Sequence, residues 1–374
     1  MRTLATVWDE RYCTAAARSV NSTTKQADVV AMAVSVLDVR PTTFDEEATW
    51  RDVAKVHLPS YAQAVRTGFP RSLAESQGFT WSPAFATALA RIWAGQYAAA
   101  EIALAEGGFV FHPVSGAHHA GIGSGGGFCT LNFLAGAALR LIREGRVERV
   151  GIIDLDAHQG NGTFEWVRGE ARLAHFDISG SSWGVDVTPK WATYRVAHNA
   201  RQYDTALREL DAWLDDVRPS VVFYQAGADC WQYDHVGGIT GVDRAFLARR
   251  DMRVLSALMV RNIPTVINLG GGYSGVAATL HAQTAVIATR LLNGDTSVEV
   301  EGFFDVGDLL GVLVRNLDSD ERHHQLEPDA DPTVPIWRPR QREDLAWRPR
   351  HRHNDRDRRH APRWGGGSWR VGPR

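Results

Sequence analysis

Lysine is almost missing from this chain. Lys25, Lys55 and Lys190 are all there are, and arginine fills the other basic positions. That replacement reads as a compositional bias of the genome rather than as function. Cysteine is as scarce. Cys13, Cys129 and Cys230 form an odd, sparse set, which argues against a disulfide framework and fits a reducing compartment. No apolar run approaches the roughly 20 residues that a membrane span needs. The run Met1 to Trp8 passes at once into Asp9, Glu10 and Arg11, so no signal peptide is expected. The formal net charge is only -2, which excludes a strong overall pull toward nucleic acid or anionic membrane. A soluble cytoplasmic protein without a membrane partner is expected.

What is present is an α/β pattern. With 374 residues and 44% hydrophobic content, the chain can hold one large α/β domain or two ordinary ones. Short apolar or β-branched runs at 109–111, 147–153, 173–178, 220–225, 264–269 and 298–303 read as strands. Helical stretches are expected at 46–67, 83–105, 131–144, 203–216, 242–261 and 275–293, and Val29 to Leu37 is apolar up to a stop at Arg40-Pro41. Alternation of the two predicts parallel pairing with helices on both faces.

The polar residues that matter follow the strands. After 109–111 come His118 and His119. After 147–153 come Asp154, Asp156 and His158, on alternate residues and so on one face of extended chain. After 220–225 come Asp229 and Asp234, and after 264–269 comes Tyr273 behind Gly270, Gly271 and Gly272. Open α/β sheets place their sites at the carboxyl ends of strands. Asp156, His158 and Asp229 make the best ligand triple for a divalent transition ion such as zinc, with a position left open. Asp154 lies closer to the strand and is better placed to orient His118 through a ring N–H. The histidine pair can supply a general base and an acid for a leaving amine. Tyr273 can donate its hydroxyl to a developing oxyanion. These residues suit metal-assisted hydrolysis of an amide. Asp234 is either a helper in the site or a loop anchor. His112 and His175 belong to no motif and read as structural, and Cys129 and Cys230 as packing residues.

The order of these motifs resembles the histone deacetylase superfamily. The chain carries His-His-Ala at 118–120, Gly-Phe-Cys at 127–129, Asp-Leu-Asp-Ala-His-Gln-Gly-Asn-Gly at 154–162, Gly-Ala-Asp with Asp234 at 227–234, and Gly-Gly-Gly-Tyr at 270–273. Gln159, where most members have a second histidine, is similar to the class IV branch and its bacterial relatives. The resemblance implies the arginase/deacetylase fold: three αβα layers around a largely parallel sheet of about eight strands. It implies a zinc-dependent deacylase, with Fe2+ as the other metal, held by Asp156, His158 and Asp229. It makes His118, His119 and Tyr273 catalytic with Asp154 in support, His119 being the general acid/base. Gly127 and Phe128 fall on the wall of the acyl-lysine tunnel, and Trp183, in the loop after Asp177, either lines the tunnel opposite Phe128 or shields that loop. A structural K+ is implied at Asp154, Asp156, His158, Asp177 and Ile178, although Asp177 departs from the family's serine. Gly160 and Gly227 stand where arginases carry the carboxylates for a second manganese, which disfavours that chemistry.

The expected substrate is an acylated lysine or other acylated amine. The other readings are a small-molecule deacetylase of the acetylpolyamine type and a non-catalytic acyl-binding module. The catalytic domain is expected over 1–317 and a disordered tail over 318–374. Residues 331–374 hold twelve arginines against five acidic residues, with Trp337, Trp347, Trp364 and Trp369 interleaved. That tail is either a solvated extension or the one segment suited to nucleic acid. The sequence leaves the oligomeric state open.

Overall fold

Eight strands pair into one sheet within residues 2–14, 24–185 and 188–295, the part of the chain that the computed structural model describes. They are β1 (Leu4–Val7), β2 (Leu37–Arg40), β3 (Phe109–Phe111), β4 (Val150–Asp154), β5 (Leu173–Ser179), β6 (Ala192–Val196), β7 (Val221–Gln225) and β8 (Thr265–Asn268). Their order is β2-β1-β3-β8-β7-β4-β5-β6, and every pairing is parallel. A parallel sheet needs both faces covered. Side chains accordingly alternate between two apolar cores. Ile153, Phe176 and Tyr224 enter one, and Ile152, Leu173 and Phe223 enter the other. The first core is closed by helices 25–33, 200–207, 210–217, 244–260 and 277–292. The second is closed by helices 46–53, 59–67, 83–106, 133–143 and 161–167. This is the expected αβα arrangement.

Local chemistry sets the helix limits. Ser82 accepts from the Phe85 N–H and Pro83 opens the long helix, while Gly107 ends it with a positive φ. Asn132 caps the helix that follows the glycine-rich loop. The expected helix 46–67 is two helices, because Pro59 has no N–H to give a continuing turn and starts the second. The expected helix 203–216 also divides, into 200–207 and 210–217. Strands β1, β2 and β6 carry no signal beyond four or five residues. The strand expected at 298–303 and the tail from 318 lie outside the described residues.

Register aligns the functional edge. Asp154 sits beside Asp177 on β5 and beside Gln225 on β7, and Gln225 sits beside Asn268 on β8. The carboxyl ends of β3, β8, β7 and β4, adjacent in the sheet, therefore open their loops at one level. The long loop after β3 is stapled by His57. Its Nδ1 donates to the Gly121 carbonyl (3.0 Å) and its Nε2 accepts from the Asn132 N–H (3.1 Å), which requires a neutral ring. Burial pushes His57 down to about 4. The unfolded chain binds that proton near 6.5, so stability is lost as pH falls from about 6.5 to about 4, by about 3 kcal/mol in full. A falling Tm across that window is expected. The His57 imidazole proton resonances should also stay unshifted from pH 7 to 5, and titration near 6.5 would contradict the neutral staple.

Candidate metal centre and catalytic residues

The Asp-x-Asp-x-His run leaves β4 extended for long enough to deliver its side chains to two neighbouring places. Asp156 and His158 meet Asp229 from the loop after β7. His158 Nδ1 lies 3.2 Å from Asp156 Oδ1 and 3.0 Å from Asp229 Oδ2. His158 Nε2 lies 3.1 Å from the Val236 carbonyl, to which it can only donate. That hydrogen bond reserves Nε2 and leaves Nδ1 as the nitrogen that would turn to a cation; burial opposes a charge on His158, but Asp156 and Asp229 outweigh it and raise the group well above its ordinary value. One ligand atom from each of the three lies within 4.8 Å of the others, and all three side chains are largely buried. Burial together with the Asp156 charge raises Asp229 to about 7. Two carboxylates that repel one another around an oriented imidazole fit a divalent cation, which would relieve the repulsion.

Glycine makes this convergence sterically available. Gly271 donates its N–H to Asp156 Oδ2 at 2.6 Å, and a Cβ there would lie 2.2 Å from Asp229 Oδ2. Any side chain at 271 would displace the carboxylate. The loop that carries Gly271 is held from two sides. Asp234 Oδ2 accepts the N–H groups of Tyr273 (2.7 Å) and Ser274 (3.0 Å), while its Oδ1 accepts those of Val236 and Gly237. Asp234 is thus the anchor of two loops.

From the other side comes Lys25, which the sequence reading passed over as composition. Its buried ammonium donates to the carbonyls of Gly270 (3.0 Å) and Gly272 (2.9 Å) and lies 5.5 Å from the Tyr273 ring centroid. Burial lowers Lys25 to about 8, against the pull of Asp229, Asp234 and Asp156. Lys25→Met is expected to leave both carbonyls unpaired and to cost about 2 kcal/mol of stability, read as a lower urea midpoint. An unchanged midpoint would remove Lys25 from this role. The signal available in the sequence was the rarity itself: a chain that uses arginine nearly everywhere keeps a lysine here.

The two adjacent histidines have different partners. His118 Nδ1 is 2.9 Å from Asp154 Oδ2, and its Nε2 is 3.7 Å from Asp156 Oδ1. Burial opposes a charge on His118, but Asp154 and Asp156 outweigh it and raise the group to about 9. His119 Nδ1 is 2.7 Å from Asn161 Oδ1, a neutral acceptor that makes Nδ1 the protonated nitrogen and leaves Nε2 basic. Burial, with the charges of His118 and His158, holds His119 well below its ordinary value. The pair therefore comprises one cationic and one neutral imidazole. Asn161 was not singled out in the sequence, although it belongs to the run at 154–162.

Aromatic rings flank the pair. Trp183 stacks on His119 with centroids 4.2 Å apart and planes at 16°. Gln159 holds the Trp183 loop, accepting from the Trp183 N–H at 2.7 Å, which gives that unusual glutamine a contact. Phe128 stacks on Phe79 at 5.5 Å and lies 5.8 Å from Tyr273. His118, Gly127, Phe128, Gln225, Gly271 and Tyr273 line one cavity. A Cβ at Gly127 would stand 2.3 Å from His119 Cδ2, so glycine lets the loop reach the imidazole. Burial, then the charges of Asp156 and Asp229, push Tyr273 well above its usual value and keep its hydroxyl a donor. Cys129 and Cys230 are buried thiols raised by burial, as packing residues should be.

The side chains of the residues expected around K+ have different neighbours. Asp156 and His158 belong to the triple above. Asp154 and Asp177 instead come together with His175, and the Ile178 side chain packs into the apolar core. His112 is structural as expected, buried against Gln96 at 2.7 Å. Among the described residues no helix is long and apolar enough to cross a membrane.

Several known proteins match parts of this chain. An uncharacterised protein of Picosynechococcus sp. is 30% identical over 224 residues, 59% of this chain and 74% of its own length. Histone deacetylase 2 of Arabidopsis thaliana is 31% identical over 207 residues, 51% of this chain and half of its own. Acetylpolyamine amidohydrolase of Mycoplana ramosa is 50% identical over 46 residues, 12% of this chain and 13% of its own. A family model described as the histone deacetylase domain matches residues 17–289, most of the sheet and every loop of the site. On that match, the chain belongs to the histone deacetylase family.

Proposed function

We propose that this protein is a metal-dependent amidohydrolase that removes an acetyl or longer acyl group from an amine, foremost the side chain of N-acyl-lysine. Family membership implies deacetylase or amidohydrolase activity. The observation that carries the reading is the pairing of unlike imidazoles beside the ligand triple: His118 on a carboxylate, His119 on an amide.

Asp156, His158 and Asp229 would hold the ion, with zinc favoured and Fe2+ the alternative. When bound, the ion supplies Lewis acidity and makes water acidic enough to attack near neutral pH. Phe128 and Trp183 flank the acyl-amine, and Gly127 lets the Phe128 loop close on His119. Tyr273 donates its hydroxyl to the carbonyl oxygen as that oxygen becomes negative. His119 Nε2 takes the proton from the attacking water and returns it to the departing amine. His118, cationic on Asp154, stabilises the negative charge that accumulates beside it.

The test is hydrolysis of acyl-lysine peptides from acetyl to myristoyl, with metal analysis of the purified protein. Acetylated polyamines join the panel because of the short match to an acetylpolyamine amidohydrolase. Turnover of a lysine peptide with one tightly held transition ion at the triple supports the proposal. No turnover of any substrate by protein loaded with Zn2+ or Fe2+ refutes it and favours a binding module.

A further inference from the structure

Behind the catalytic triple lies a second group of ionisable side chains that the proposed reaction does not explain. On β5, His175 and Asp177 are two residues apart and share a face, and register places Asp177 beside Asp154 on β4. The face is the one on which Leu173 and Ile152 are packed in the apolar core. Two carboxylates and an imidazole, all at most 1% exposed, interrupt that layer. Burying such groups costs several kcal/mol each unless partners or an ion compensate.

The partners present do not suffice. Asp177 Oδ2 accepts from the Gly160 N–H at 2.8 Å, but its Oδ1 is buried without a hydrogen-bond partner. His175 Nδ1 is 2.7 Å from the Tyr194 hydroxyl, and its Nε2 is also buried without a partner, 3.8 Å from Asp154 Oδ2. Ligand atoms of Asp154, His175 and Asp177 all lie within 4.8 Å of one another. Gly160 keeps their meeting point open: a Cβ there would stand 2.7 Å from Asp154 Oδ2 and 3.1 Å from His175 Cε1. Two orphaned polar atoms aimed into such a space call for an ion or a water.

The donor set selects the ion. The family resemblance suggests a monovalent cation here, but an imidazole nitrogen is a poor partner for a hard cation and a good one for zinc, iron or nickel. With Nδ1 engaged by the Tyr194 hydroxyl, Nε2 is the ring nitrogen of His175 left for the carboxylates and an ion between them. We propose that Asp154, His175 and Asp177 form a second metal site, which takes a divalent transition ion in place of a monovalent one. The inference stands on these side chains and does not depend on the deacylase reading.

The experiment counts metal by plasma mass spectrometry in the full chain after equilibration with Zn2+ and removal of free ion. Two equivalents are expected in the wild type, one in Asp229→Asn, one in His175→Ala, and none in the double variant. Asp177→Ser is also expected to drop to one. Tyr194→Phe leaves all three ligands in place and should weaken the second site 10- to 100-fold in a Zn2+ titration. This keeps the test open if His175→Ala fails to fold. Exchange of KCl for NaCl should leave the wild-type Tm unchanged. A single equivalent in the wild type, full occupancy in both His175→Ala and Tyr194→Phe, or a Tm raised by K+ but not by Na+ would overturn the proposal.

Discussion

His119→Ala is expected to lower kcat on an acyl-lysine peptide by about 10²- to 10⁴-fold, the range that a positioned general acid/base contributes. KM should change little. The ring is fixed by Asn161 and stacked on Trp183, and neither contact is made to the ion ligands. Removing it takes away the neutral imidazole of the pair, while the ligand triple keeps its own hydrogen bonds. His118→Ala should cost less in proton transfer but leave Asp154 buried without its cation, and so should lose more stability. Measured together, the two variants separate the roles. A larger fall in kcat for His118→Ala than for His119→Ala, with both folded by circular dichroism, would exchange the assignments. The double variant should fall little below His119→Ala, because residues acting as one unit do not add.

The contrast between these histidines shows what could be read in the chain before folding. The ligands at Asp156 and His158 were legible because they sit at alternate positions of one strand end, where spacing alone puts them on a common face. His118 and His119 were legible because they follow a strand directly, and Gly271 because a backbone that must approach closely has few alternatives, whereas Gly127 was legible only through the family resemblance. The three αβα layers followed from alternating apolar runs. The partners were not legible. Whether a buried imidazole meets Asp154 or Asn161 depends on side-chain placement after the loop turns. His175 looked structural because its neighbours in sequence are apolar, and only the register between β4 and β5 sets it beside Asp154 and Asp177. Lys25 lies on a helix far from every motif, and its contact with Gly270 and Gly272 exists only once that helix has packed. Strands β1, β2 and β6 were missed for another reason. Their pairing is decided by the sheet they join rather than by runs long enough to stand out.

Asp229→Asn should bring the largest loss, because it acts on the centre that the other residues serve. The substitution keeps the shape. The amide oxygen can still accept from the Ala157 N–H, which Asp229 Oδ1 does at 2.9 Å, so the loop after β7 need not move. What changes is the second oxygen, now an NH2 that faces His158 Nδ1 at the 3.0 Å position. A donor cannot ligate a cation, and the site loses one of its two negative charges. Loss of Lewis-acid stabilisation is worth several kcal/mol, which at 1.4 kcal/mol per decade is a fall of 10³-fold or more in kcat/KM. Burial, and after it repulsion from Asp156, raised Asp229 to about 7, and that repulsion disappears at the same time. The metal-free variant should therefore be no less stable than metal-free wild type, and its Tm should rise less than that of the wild type when Zn2+ is added, because only the Asp154, His175 and Asp177 group is left to bind. Metal content, Tm with and without Zn2+, and hydrolysis give three independent measurements. Retained turnover in a variant that has lost its ion would mean that hydrolysis does not depend on this centre, and the proposed mechanism would fall with it.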